Sequence, residues 1–155
     1  MDMDANLDSG LLKTLGMKIV EENPICVRID MPITDAVKQP FGFLHGGATI
    51  SLLESTASRA AELNADLEIE LPFGVEVHVR HRKSGTEGIV HGVATLDREE
   101  DLGERGRKQV WNVAAHDDAG DLLSEGVIIT QVVPLAYLAK RAHSMKSYPT
   151  CSCDS

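Results

Sequence analysis

The stretch from Gln39 to Ser58 holds one histidine, a glycine pair and one carboxylate in an otherwise uncharged run. Gly46 and Gly47 follow His45 and open a segment of helical character. Glycine lets a backbone approach a ligand closely, and the first N–H groups of a helix have no partner inside it. With the helix dipole behind them, such groups can hold a developing negative charge. Between Gly46 and Ser58 the one charged residue is Glu54. A helix uncharged nearly all round is a buried helix, and a carboxylate is almost never fully buried unless paired. The stretch thus offers an oxyanion site, a histidine beside it and a buried acid, with Ser58 one turn beyond Glu54 on the same face.

Spacing separates these groups within one chain. Glu54 stands nine residues after His45, roughly 13 Å along a helix at about 1.5 Å per residue. His45 and the glycine amides of one chain cannot share a substrate atom with its own Glu54, so cooperation requires a second subunit and a site at a symmetric dimer interface. The spacing also allows a plain structural reading. In it Gly46–Gly47 is a tight turn, and Glu54 pairs with a buried arginine such as Arg59 of a neighbour.

The elements that would position this stretch can be read from periodicity. Residues 6–16 read as a short helix, capped by Asp8 or Ser9, striped by Leu11, Leu12 and Leu15, and ended by Gly16. Residues 17–31 read as a strand pair or one bent strand, since Ile25, Val27, Ile29 and Met31 alternate with polar positions. A loop over 32–42 leads into a central helix over 46–63, with Asn64 and Asp66 as stop signals. Residues 68–73 read as a connection. Val75, Val77 and Val79 then predict a strand with one buried face. Further strands are expected over 89–96, 108–116 and 122–133, with a turn at 117–120. The apolar run 127–133 marks a central or interface strand. The highly charged stretch 97–107 reads as an exposed hairpin loop. Residues 135–145 predict a short basic helix carrying Lys140, Arg141 and His143, and the rest predicts a disordered tail. Strands wrapped around one long helix give an α+β layer.

Composition bounds the function. A length of 155 residues suits one domain. A net charge of −9 argues against a nucleic-acid partner. No apolar run approaches the roughly 18 residues of a membrane span, and the acidic start lacks the basic region of a signal peptide. Three cysteines, Cys26, Cys151 and Cys153, in no framework spacing argue for a reducing, cytoplasmic compartment. The C-x-C pair lies in the tail expected to be disordered. His78 and His81 would fall on opposite faces of a strand, so no metal site is expected.

The pattern Gln39-Pro-Phe-Gly-x-x-His45-Gly-Gly-Ala followed by Glu54 resembles the hotdog-fold acyl-CoA thioesterases of the PaaI-like superfamily. It is similar to the branch of 4-hydroxybenzoyl-CoA and 1,4-dihydroxy-2-naphthoyl-CoA thioesterases, which carry Glu on the central helix where the phenylacetate-pathway enzymes usually carry Asp. The stretches from Gly74 to His81 and from Gln109 to Trp111 fit the same family. The resemblance runs from about Leu11 to Val133. It implies a hotdog fold over residues 11–134, with an extension at 1–10 and a tail at 135–155.

The resemblance also implies roles. Glu54 would be general base, activating water, or nucleophile, forming a mixed anhydride. Burial should raise its pKa, which suits a base. The Gly46 amide would be the main oxyanion donor, with Gly47 beside it. Gln39 would place the thioester, His45 would orient it or support the helix end, and Ser58 would hold the water. Coenzyme A carries phosphates that need cations. Candidates are Arg80, His81, Arg82 and Lys83, and beyond the acidic loop Arg105, Arg107 and Lys108. His81 and Lys83 match positions near the nucleotide or pantetheine, whereas the 97–107 stretch is several residues longer than the family's. The expected partner is an acyl-CoA substrate, with no cofactor beyond its CoA, and the expected assembly is a homodimer doubling to a homotetramer. Two other readings carry different expectations. A hotdog hydratase or dehydratase would hydrate crotonyl-CoA, and an acyl-CoA-binding regulator would bind tightly without releasing thiol.

Overall fold

The long uncharged run after His45 folds as the axis of the protein. In the computed structural model, which describes residues 9–142, helix α2 spans Gly46–Leu63. Its buried residues Thr49, Leu52, Leu53, Thr56, Ala57, Ala60 and Ala61 recur every three or four positions and form one apolar stripe. The opposite face, with Ile50, Ser51, Glu54, Ser55 and Ser58, is half-buried. Among the described residues the helix is therefore covered on one side, and Glu54 is half-buried rather than fully buried.

Six strands curve over the buried face. They are β1 (Lys18–Asn23), β2 (Cys26–Pro32), β3 (Glu70–His81), β4 (Ile89–Asp101), β5 (Arg107–His116) and β6 (Leu122–Pro134). They form one sheet in the order β1-β2-β4-β5-β6-β3, and every neighbouring pair is antiparallel. This is the α+β hotdog arrangement, a sheet wrapped around one helix. A short helix α1 (Gly10–Thr14) precedes β1. A helix α3 (Leu135–Ala142) follows β6, within the 135–145 span expected for it. Residues 6–8, the positions after 142 and the Cys151/Cys153 pair lie outside the described residues. Among the described residues no helix is long and apolar enough to cross a membrane.

Residues 17–31 form a hairpin rather than one bent strand. Asn23 accepts the Ile25 and Cys26 N–H groups at 3.0 and 2.9 Å, which closes the turn at Pro24. Val27, Ile29 and Met31 are fully buried as their alternation predicts, while Ile25 sits in the turn and is exposed. The Asn64 side chain donates to the Pro24 carbonyl and to Ala60 O, tying this turn to the end of α2. Arg59, buried on α2, donates to Glu22 through Nε at 2.7 Å and Nη2 at 3.1 Å, and to Glu62 through Nη1 at 3.2 Å. Its guanidinium is thus filled by its own chain, which removes the reading that pairs it with Glu54.

Two sequence expectations are corrected. The charged 97–107 stretch is not a loop: β4 and β5 stay paired out to Asp101 opposite Arg107, and only 102–106 turns. Its charges neutralise one another across an exposed ribbon, as in Lys108 with Glu100 at 3.2 Å, so no apolar alternation marks the strands. The other correction concerns β3. Val75 and Val77 are not buried, being 49% and 41% exposed, because β3 is an edge strand whose far side has no partner among the described residues.

Away from α2's exposed face, His91 of β4 bridges Asp30 of β2 and Asp118 of the β5–β6 turn, both at 2.8 Å. The hydrogen bond to Asp118 first, and that to Asp30 second, raise its pKa above the ordinary 6.5. A raised folded-state pKa stabilises the fold fully below the unfolded value and loses that contribution as pH rises through the folded value. The Tm gap between wild type and H91N should therefore be widest near pH 6 and close as pH climbs past 6.5. Thermal unfolding across that range checks this.

Candidate active site

His45 is the N-cap of α2, with extended backbone (φ −70°, ψ 128°). Its Nδ1 accepts the Gly47 N–H at 2.8 Å, so the proton of the neutral ring sits on Nε2. The His45 carbonyl accepts from Ala48 and Thr49 at 3.0 and 3.2 Å. This leaves the Gly46 N–H as the donor at the helix start with no acceptor among the described residues. Two glycine amides were expected to share the oxyanion role. Of the two, the Gly47 N–H is used by the cap.

The preceding loop is held from both sides. His45 N–H donates to Val37 O and Leu44 N–H to Gly85 O, each at 2.8 Å. Gln39 Oε1 accepts the Phe41 N–H at 2.7 Å, so Gln39 caps its own turn with its oxygen. Its amide nitrogen keeps both donors, which have no acceptor among the described residues. Gly42 takes φ +87° in this turn, a conformation that favours glycine.

His81, at the end of β3, joins this cluster. Its Nδ1 lies 2.8 Å from the Ser124 hydroxyl, and its Nε2 lies against Gly46, where an added Cβ would stand 2.7 Å away. Ser124 is buried and anchors the ring. The serine carries no sequence signal, since its partner is 43 residues away.

A second cluster forms farther along α2. Ser58 donates to Glu54 Oε1 at 3.5 Å, the long limit of a hydrogen bond. Glu54 also packs against Gly74 of β3. No cation is paired with the Glu54 carboxylate among the described residues. Eight residues of helix, roughly 12 Å of rise, separate Glu54 from Gly46. The chain therefore brings together His45, Gly46 and His81 at one point, with Gln39 in the loop that leads into it, and Glu54, Ser58 and Gly74 at another.

The expected phosphate-binding cations are largely engaged. Arg82 donates to Glu125 through Nε at 2.9 Å and Nη2 at 2.5 Å. Lys83 reaches Asp117 at 3.0 Å and Asp121 at 2.5 Å, and Asp121 first, then Asp117, raises its pKa. These pairs are exposed and open at little cost to an incoming phosphate. Arg107 is different. It donates to Glu70 through Nη1 and Nη2 at 2.8 Å, and to the Asn64 carbonyl at 2.6 Å, with Glu99 at 3.3 Å from Nε. It sits at the C-terminal end of α2, at the opposite end from Gly46, and holds the Glu70 carboxyl below its usual range. Arg107 is thus a clamp between β3, β5 and the helix end. R107Q should lower stability by about 2 kcal/mol by stranding Glu70, while KM for a CoA thioester stays within about twofold. Denaturation and steady-state kinetics on one preparation check both.

No protein-family model matches the chain. It is 36% identical over 103 residues to the 1,4-dihydroxy-2-naphthoyl-CoA hydrolase of Escherichia coli, covering 66% of this chain and 71% of that one. Its fold superposes on a mutant thioesterase of Pseudomonas aeruginosa with a TM-score of 0.76 at 29% identity, over 85% of this chain and 91% of that one. Two mutant structures of one Staphylococcus aureus protein, named a thioesterase in one of them, superpose at 0.75 with 33% and 32% identity, over 81% of this chain and 100% of theirs. In one a glutamate is replaced by alanine, in the other a glutamine fifteen positions earlier. The chain belongs to the hotdog-fold thioesterases and is a thioester hydrolase.

Proposed function

We propose that the enzyme hydrolyses an acyl-CoA thioester at a site shared by two subunits, with Glu54 of one chain facing Gly46 of the other. The observation that carries this reading is the division of the machinery into two clusters about 12 Å apart on α2: at one an amide donor with no acceptor among the described residues, at the other a carboxylate with no cation paired to it among them. A two-fold axis that places two α2 helices antiparallel sets each cluster against its complement. The unpaired edge of β3, with Phe73, Val75 and Val77 exposed, and the half-covered face of α2 supply the surface for that contact.

In the proposed reaction the thioester carbonyl accepts a hydrogen bond from the Gly46 N–H, and Gln39 and the Nε2–H of His45 position it. Glu54 takes a proton from water held with Ser58, and the hydroxide oxygen attacks the carbonyl carbon. Alternatively the carboxylate attacks directly, giving an anhydride that water then opens. Either way the C–S bond breaks, the oxyanion collapses, and the CoA thiolate is protonated. The helix start stabilises the oxyanion. His81, Arg82 and Lys83 line the approach of the CoA chain and its phosphates. The spacing of Gln39 and Glu54 supports the assignment, since it equals that of the two positions replaced in the S. aureus protein.

The substrate class is an aryl-CoA, on the likeness to the naphthoyl-CoA hydrolase. The dimer doubles to a homotetramer in the cytoplasm, and no cofactor beyond the CoA of the substrate is used. Thiol release from a panel of aryl and fatty acyl-CoAs tests this. Aryl thioesters should turn over fastest. Tight binding without thiol release on any of them would overturn the reading.

A further inference from the structure

Gly74 lies inside β3, where glycine weakens a strand and needs a reason. Its backbone does not supply one, because its φ is not among those in the left-handed region. Space does. A Cβ built on Gly74 would overlap Glu54 Oε1, far inside the 3.0 Å that real Cβ atoms keep, and would stand 3.4 Å from Cδ and 3.9 Å from Cγ. Leaving aside the neighbouring residues of β3, the three atoms nearest that position all belong to Glu54. The β3–β6 register also shifts between Gly74 and Glu76, so Val75 is the extra residue of a bulge beside the same spot. Bulges re-aim strands next to sites.

We infer that Gly74 is a positioning residue for the reaction: its missing side chain opens a notch in β3 that seats the Glu54 carboxylate against the strand backbone. The inference rests on the reading of Glu54 as base or nucleophile, and it goes beyond it by naming what fixes the carboxylate's place. Among the described residues Glu54 has one weak hydrogen bond, from Ser58, to hold it. Without the notch a Cβ would stand where the carboxylate sits, and the long, flexible side chain would turn aside. An alanine at 74 leaves the strand backbone as it is and moves the carboxylate by about 1 Å to reach ordinary contact, and displacements of that size cost about 10²-fold in rate.

The test compares G74A, E54D, the double variant and E54Q with wild type in acyl-CoA hydrolysis. G74A should lose roughly 10- to 100-fold in kcat with KM within about twofold, and keep wild-type Tm and oligomeric state. Aspartate is one methylene shorter and does not reach the notch. G74A should therefore cost nothing further in the E54D background, a non-additivity that a general structural defect would not give. Should G74A instead unfold, E54D must restore its Tm, because it removes the overlap. Wild-type kcat in G74A, or the same loss in both backgrounds, or no restoration by E54D, would overturn the inference while leaving Glu54 in its role. Wild-type turnover by E54Q would overturn that role and the inference with it.

Discussion

Replacing Glu54 by glutamine is expected to lower kcat by a hundredfold or more, roughly the scale of losing a positioned acid–base group. The substitution keeps the shape of the side chain and the Ser58 contact, but not the negative oxygen that takes a proton or attacks carbon. KM should stay within about threefold, because the groups proposed to hold the thioester and CoA lie in the other cluster. The fold should not suffer, since Glu54 has no ion pair to lose among the described residues, and Tm should be unchanged or higher. Steady-state kinetics on the best acyl-CoA, with thermal unfolding beside them, check all three. Equal turnover in E54Q would remove the carboxylate from the chemistry.

The second large effect is expected at Gly46, where the active group is a backbone N–H that no ordinary side-chain change removes. Proline removes it. Gly46 is the first residue of α2, the position where helices accept proline, and His45 already has the extended conformation proline demands of its predecessor. G46P should therefore fold and lose about 10²- to 10³-fold in kcat, the scale of one oxyanion donor. G46A is the needed control. It keeps the N–H but adds a Cβ 2.7 Å from His81 Nε2, the tip of a side chain that can shift. It should lose far less than G46P, and the ratio of the two kcat values measures the N–H itself. Equal losses would assign the effect to crowding of His81.

How legible these parts were in sequence depends on whether the signal was local. The bounds of α2 could be read closely because an uncharged run, a glycine start and Asn64 all agree within one stretch. The helix-start cluster was legible for the same reason, although not that His45 would use up the Gly47 amide, which is a matter of ring geometry. The hidden parts depend on distant partners. Arg107 reads as a phosphate cation, and its pairing with Glu70, 37 residues away, leaves no local signal. Ser124 and Gly74 gain meaning only when the sheet brings them to His81 and Glu54. The β4–β5 ribbon was obscured because its alternation is between charges of opposite sign rather than between apolar and polar residues. The exposure of Val75 and Val77 follows from β3 being last in the sheet, a topological fact that alternation alone does not carry.

The division of the site between two subunits can be measured directly by mixing E54Q and G46P chains. Each parent homodimer lacks one half of every site. A mixed dimer pairs the intact Glu54 of one chain with the intact Gly46 N–H of the other, and so restores one site of its two. If chains exchange freely, half the dimers are mixed, and about a quarter of wild-type activity should return in a symmetric two-site dimer. Recovery to about that level after denaturation and co-refolding is the predicted result. Activity no greater than the average of the two parents, with mixed dimers shown to be present, would contradict a shared site and place the whole reaction within one chain.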